Sequence, residues 1–286
     1  MHSSAIVALT AGEARLSVSA ATDVGSVRAI NEDSYIAQPP LFVVADGMGG
    51  HAHGDRASQT VVSVLRDSFA AGSIPAPEQV LAAIRDANDA VLGFSDEDGA
   101  RVLSGTTLVG IALVEARGAD YAHWMIFNIG DSRVYSWDGR HLIQLSVDHS
   151  AVQELVDAGV LTSAEALVHP DRNIITRAIG ASEDADADVW LLPAIGAQSF
   201  LICSDGLTKE LEDDAIAQIM TQHAADGDRS SIADALVAAA LRSGGRDNVT
   251  VVVVESSIDQ PLIDEEETSD RALRTVEYLE DTRPRA

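Results

Sequence analysis

Cysteine is almost missing from this chain: Cys203 is the single one among 286 residues. No internal disulfide can form, and no thiolate cage for a metal can be built. Long apolar runs are missing too, since no stretch approaches the ~18 residues needed to span a bilayer. Positive charge is scarce, with 19 Lys and Arg against 45 Asp and Glu and a formal charge of −26. So acidic a surface repels phosphate backbones and anionic lipid, which counts against nucleic acid and membrane partners. Bound divalent cations would neutralise part of the excess. The opening stretch "MHSSAIVALTAGEARLSVSA" lacks a basic leader, and Glu13 and Arg15 interrupt its apolar residues. It is unsuited to act as a signal peptide, and the expected location is the cytoplasm.

What is present suits a packed core: 46% of residues are hydrophobic and only 22% charged. Short β-branched runs ending at turn residues read as strands at 41–45, 107–113, 124–128, 133–137, 199–203 and 249–254. "WDGRHLIQL" reads as a hairpin turning at Asp138-Gly139. Between the strands, residues 55–69 place Ala57, Val61, Val62, Leu65 and Phe69 on one helical face. A second helix begins at Pro77, and a third has serines before it and glycines after it in "SSIADALVAAALRSGG". Strands and helices do not alternate as βαβ units, which favours an α+β layered fold with antiparallel sheets. A single domain is expected over 1–256, with motifs from about residue 20. Residues 257–286 form an acidic tail, either inert or regulatory, with Thr268, Ser269 and Thr282 among its acids.

Carboxylates recur where apolar runs end. "LFVVADGMGG" carries Asp46, "FLICSDG" carries Asp205, "GGRDNVTVVVV" carries Asp247, and "FNIGDSRVY" places Asp131 in a short turn. Any one of them suits an Asx turn that accepts local amide hydrogen bonds. As a set they suit a hard cation such as Mg²⁺ or Mn²⁺ at one end of a sheet sandwich, because a buried carboxylate needs a partner. Zn²⁺ prefers His and Cys, and the histidines here, His51 and His53 included, are not spaced as ligands. Upstream, "TDVGSVRAINEDSY" adds Arg28, Glu32 and Asp33. Arg28 is either a solvated surface residue or, beside a cation site, a fork for phosphate oxygens. Cys203 reads as a buried hydrophobe, and Ser204 in "CSDG" lacks a neighbouring base.

The ordered set "RAINEDSY", "VVADGMGGHAHGDRAS", "SGTTLVG", "NIGDSRVY", "LICSDGL" and "GGRDNVTVVVV" resembles the metal-dependent, type 2C serine/threonine phosphatases, most closely their bacterial branch. The match spans about 20–256. The resemblance implies a four-layer α-β-β-α sandwich, two antiparallel sheets flanked by helix pairs. It implies hydrolysis of phosphoserine and phosphothreonine in proteins by a metal-activated water, without a covalent enzyme intermediate. Two core Mn²⁺ or Mg²⁺ ions are implied, with a weaker third as an option. By matching position, Asp46 bridges the two ions, Gly47 offers its backbone carbonyl, and Asp205 and Asp247 complete the first ion's ligands. Glu32 acts through water and Asp33 supports the second ion, Asp131 holds the third, and Arg28 receives the substrate phosphate. The implied partners are phosphoproteins, targets of a bacterial Ser/Thr kinase, met by a monomer. Two readings compete: a sensory module that binds phosphoprotein with little turnover, and a small-molecule phosphatase.

Residues 148–180 resemble the flap beside the active site of bacterial members and are expected to form a short helix, a break at Gly159 and another short helix. Two positions depart from the family pattern. Lys209 stands in "SDGLTKEL" where members often have Asp or Asn near the third ion. It either lies close enough to repel that ion or points to solvent, and the expectation is the solvent reading, with third-ion binding weakened at most. Met48 stands where many eukaryotic members have the histidine of "DGHGG", proposed there to protonate the leaving group. A thioether has no proton to donate. Met48→Ala is therefore expected to retain most turnover of p-nitrophenyl phosphate, whereas Asp46→Ala or Asp247→Ala abolishes it. Comparable losses in all three variants would contradict this division.

Overall fold

The computed structural model describes residues 1–49, 53–69, 73–94, 104–115, 121–226 and 232–259. Its strands are β1 (His2–Leu9), β2 (Gly12–Asp23), β3 (Asp33–Gln38), β4 (Leu41–Met48), β5 (Gly105–Thr106), β6 (Leu108–Val114), β7 (His123–Ile129), β8 (Arg133–Trp137), β9 (Leu142–Gln144), β10 (Asp188–Pro193), β11 (Gly196–Cys203) and β12 (Val249–Asp259). The helices are α1 (Gly54–Ser68), α2 (Pro77–Leu92), α3 (Ala151–Asp157), α4 (Ser163–Ala166), α5 (Asp205–Thr208), α6 (Asp213–Asp226) and α7 (Ile232–Ser243).

Every strand pair is antiparallel. One sheet runs β1-β2-β12-β11-β8-β9 and the other β10-β7-β6-β4-β3, with β5 pairing the end of β4. Period-two alternation explains why the central strands read as unbroken apolar runs, since both of their faces are buried. Along β12, Val252, Val254 and Ile258 face the opposite sheet, while Val249, Val251 and Val253 pack on the side of α6 and α7. Along β4, Phe42 and Val44 face inward, while Leu41, Val43 and Ala45 meet α1 and α2. Three apolar layers result, and the fold is the α-β-β-α sandwich expected.

The inner layer is centred on Trp124. Its ring centroid lies 5.4 Å from that of Phe200 and 6.2 Å from that of Phe42, at tilted and edge-on angles that suit aromatic quadrupoles. Phe42 and Trp124 come from one sheet and Phe200 from the other, so this cluster stitches the two sheets together.

Some elements differ from the sequence expectation. The N-terminal stretch, judged above only as a leader, is the β1–β2 hairpin, and its Leu16, Val18 and Ala20 alternate into the inner core. The β8–β9 hairpin turns over residues 138–141 and not over Asp138-Gly139 alone. The Asp138 carboxylate accepts the backbone N–H of Arg140 at 2.8 Å and that of His141 at 2.6 Å, which steadies the longer loop. β12 continues in register to Asp259, three residues past the compositional break at 256. The remainder of the acidic tail, the serines preceding α7, and His51 lie outside the described residues. Residues 148–180 do form a short helix, a left-handed Gly159 at φ +69°, and a second short helix.

Truncating Trp124 to Ala should cost about 3–5 kcal/mol of unfolding free energy, because it opens a cavity between the sheets. Ile6→Ala, at a side chain 68% exposed, should stay within about 0.5 kcal/mol of the parent. Urea unfolding monitored by circular dichroism measures both.

Candidate active site

Antiparallel topology brings the acids together. β4, β7 and β11 arrive at one end of the sandwich, and β3, β8 and β12 depart from it. Asp33 opens β3 directly opposite Asp46 near the end of β4. Asp131 sits in the link that crosses from β7 in one sheet to β8 in the other. Asp205 follows β11, and Asp247 precedes β12. Residues far apart in sequence thus meet at one rim.

The backbone of Asp46 is clamped by the "SGTT" segment, a role that sequence reading did not assign to those residues. Its N–H donates to Thr107 Oγ1 at 3.0 Å, and its carbonyl accepts from Thr107 N and Thr106 Oγ1, each at 2.9 Å. Thr107 Oγ1 in turn pairs with Ser132 Oγ at 2.8 Å, which links Asp46 to the Asp131 turn. Ser204, fully buried, donates to Asp33 Oδ2 at 2.8 Å and accepts from Thr250 N at 2.9 Å. That geometry gives Ser204 a positioning role and leaves it no part as a nucleophile. Cys203 is fully buried, and burial pushes its pKa up to about 12.

Asn248 is the second residue whose role emerges only in three dimensions. Its Oδ1 accepts the Glu32 N–H at 2.9 Å, and its Nδ2 donates to the carbonyls of Val24 at 2.9 Å and Ile30 at 3.0 Å. One side chain therefore holds the Arg28-bearing loop to the start of β12. The Glu32 carboxylate meets the backbone N–H of Gly54 at the first turn of α1, where His53 provides no side-chain cap. Negative charge is favoured at that position. The close fit explains two glycines, Gly47 and Gly54: a Cβ on Gly47 would collide with the Gly54 carbonyl, and one on Gly54 would stand 2.5 Å from Glu32 Oε1.

The electrostatics are those of crowded like charges. Asp46 is part-buried, and desolvation of its carboxyl raises its pKa well above the ordinary value, with Asp33, Asp205, Asp131 and Asp247 adding repulsion. Burial likewise pushes Asp33 and Asp131 up to about 7, with Asp205 repelling each of them. Asp205 is also raised by burial, and the Lys209 ammonium offsets part of that shift.

Two cations of the chain itself enter this cluster. Arg28 Nε lies 2.9 Å from Asp247 Oδ1, and its Nη2 donates to Oδ2 at 3.0 Å, yet half of its side chain remains in solvent. Lys209 corrects the expectation that it points to solvent. Its Nζ pairs with Asp205 Oδ2 and stands 3.5 Å from Asp247 Oδ2. Burial works against that ammonium, but Asp205, Asp131 and Asp247 outweigh it and raise the lysine pKa above its ordinary value. The reason is spacing: one helical turn returns residue 209 over residue 205.

Among the described residues, no three acidic, imidazole or thiol groups stand as a finished ion cage. The donor set nevertheless fits divalent ions. Asp33 Oδ1, Asp131 Oδ1 and Asp205 Oδ1 are buried with no hydrogen-bond donor among the described residues, and a hard cation is the partner such oxygens suit. Such a donor set would suit divalent cations, and the guanidinium beside it would suit an anionic group.

The comparisons agree with that class. A family model described as Protein phosphatase 2C matches residues 28–242. Serine/threonine phosphatase stp of Listeria monocytogenes is 32% identical over 249 residues, covering 84% of this chain and 95% of that protein. The crystal structure of the Mycobacterium tuberculosis serine/threonine phosphatase PstP/Ppp superposes with a TM-score of 0.72 at 36% identity, covering 84% of this chain and 98% of that one. A catalytic domain of PstP crystallised in complex with two manganese ions gives 0.70 at 34% identity, covering 85% of this chain and 99% of that one. The chain belongs to the protein phosphatase 2C family.

Asn248→Ala should lower stability by about 1–3 kcal/mol, since it leaves the Glu32 amide and two loop carbonyls without their partner. Thermal unfolding reads that loss. Turnover of p-nitrophenyl phosphate should fall with it, because the Arg28 loop loses its anchor.

Proposed function

We propose that this serine/threonine protein phosphatase hydrolyses phosphoserine and phosphothreonine in proteins with a metal-activated water and no covalent enzyme intermediate. The observation that carries the proposal is the gathering of the buried Asp33, Asp131 and Asp205 and the part-buried Asp46 as mutually repelling carboxylates beside Asp247. In this reading Asp46, the Gly47 carbonyl, Asp205 and Asp247 would hold the core ions, Mn²⁺ or Mg²⁺. Glu32 would act through water, Asp33 would support the second ion, and Asp131 would hold a weaker third. When bound, such ions supply a water nucleophile at neutral pH and neutralise phosphoryl charge.

The chain's own groups do the rest. Arg28 has more donors than Asp247 consumes, so its exposed edge can take phosphoryl oxygens while the carboxylate keeps the guanidinium in plane. The Thr106, Thr107 and Ser132 hydroxyls keep Asp46 at one position, so little reorganisation accompanies the chemistry. Neither Cys203 nor Ser204 competes as a nucleophile, since Cys203 is buried with its pKa raised and Ser204 is committed to Asp33. Met48 lies in β4 opposite Gly105 and offers no proton, so in this proposal the leaving alkoxide takes its proton from water.

The setting proposed is the cytoplasm, with a monomer opposing a bacterial Ser/Thr kinase through a catalytic unit that ends near Asp259 and an acidic tail beyond it. Among the described residues no helix is long and apolar enough to cross a membrane.

The expected result is that p-nitrophenyl phosphate and phosphothreonine peptides are turned over with Mn²⁺, that EDTA lowers the rate at least about a hundredfold, and that added Mn²⁺ restores it. Turnover indifferent to chelator would overturn the metal-dependent mechanism. Phosphopeptide binding without turnover in Mn²⁺ would favour a sensory module.

A further inference from the structure

Lys209 is one of two cations, with Arg28, by which this site differs from a plain set of carboxylates. It closes the single turn α5, and its backbone N–H donates to the Asp205 carbonyl at 2.7 Å. Leu207, fully buried, packs this turn into the layer that holds β11, β12 and α7. The backbone is therefore fixed, while 35% of the side chain is exposed and a flexible four-carbon stem separates the ammonium from the backbone. Its ammonium nonetheless sits on Asp205 Oδ2 and within 3.5 Å of Asp247 Oδ2. The other oxygen of Asp205 has no hydrogen-bond donor among the described residues.

An ammonium and a divalent ion repel one another and compete for the same carboxylate oxygens. If Asp205 and Asp247 are ion ligands, as the function proposed above requires, the lysine has to leave when an ion arrives. Its departure breaks an ion pair and needs no refolding, because the turn is held by Leu207 and by the backbone bond. In the absence of ions, the same ammonium relieves the repulsion among Asp131, Asp205 and Asp247.

We propose that Lys209 is a tethered competitor for divalent ions at Asp205 and Asp247. It lowers the affinity of the site for metal and keeps the metal-free site intact. Lysine is suited to this exchange: it is a compact point charge on a flexible stem, and it fills an ion's place without copying its multiple coordination. Arg28 pairs with both oxygens of Asp247 and does not reach Asp205, so Lys209 is the cation placed on the Asp205 side.

Calorimetric titration of Mn²⁺ into the full-length chain, stripped beforehand with EDTA, tests the proposal alongside thermal unfolding with and without Mn²⁺. Lys209→Met is expected to bind Mn²⁺ about tenfold more tightly than the parent. Its metal-free form should melt several degrees lower, and its Mn²⁺-saturated form should melt with the parent. Lys209→Gln should repeat this behaviour, and Lys209→Arg should stay near the parent in both measurements. Equal or weaker Mn²⁺ binding in the two neutral variants overturns the proposal. So does a lower melting temperature that persists at saturating Mn²⁺, which marks a packing role. Asp247→Ala separates the two levels of inference. Lost Mn²⁺ binding in that variant supports the ligand assignment, and unchanged binding overturns the assignment itself whatever the lysine variants do.

Discussion

Repulsion among buried carboxylates is the interaction around which this protein is arranged. Asp33, Asp131 and Asp205, buried, and Asp46, part-buried, share one rim of the sandwich, close enough to raise one another's proton affinity. Left to themselves they would drive the strand ends apart. The fold resists through its three apolar layers, which hold those strands from both faces. Positive charge supplied by Lys209 and Arg28 resists it locally. Hydroxyls and amides around the rim then decide where each acid points.

Those supporting groups form a connected shell. Thr106 and Thr107 fix Asp46, Ser132 connects them to the Asp131 turn, Ser204 and Thr250 fix Asp33, and Asn248 fixes the Glu32 backbone. Donors and acceptors are exchanged mostly between neighbouring strand ends, so the shell depends on strand register. A slip of one residue in β12 would turn Val252 and Val254 out of the inner core and carry Asn248 away from Glu32. Stability and site geometry are therefore one constraint, expressed through the same pairing.

Much of this was legible without coordinates. Asp46, Asp205 and Asp247 stood out because each interrupts or borders an apolar run, an arrangement chemistry permits only with a partner. The four-layer architecture followed from the family resemblance, and the buried runs supported it. Less legible were residues whose importance lies in a neighbour. Asn248 follows an acid in an ordinary-looking "DN", and Gly54 matters only because Glu32 from another loop seats against it. The β1–β2 hairpin was obscured by charged residues on its exposed face, which masked the alternation of Leu16, Val18 and Ala20.

Lys209 marks the boundary between the two kinds of knowledge. From sequence alone it is a cation four residues past an acid, and solvent is its ordinary destination. The sequence by itself determined which carboxylates end strands, which runs are buried and which residue types are missing, because periodicity and composition are local properties of the chain. Only the tertiary structure decided that those carboxylates face one another across two sheets, that Ser204 is a support and not a nucleophile, and that Lys209 turns inward. The physical reason is the field at that rim: several acids from distant segments create a potential that none of them has alone, and it draws the ammonium in.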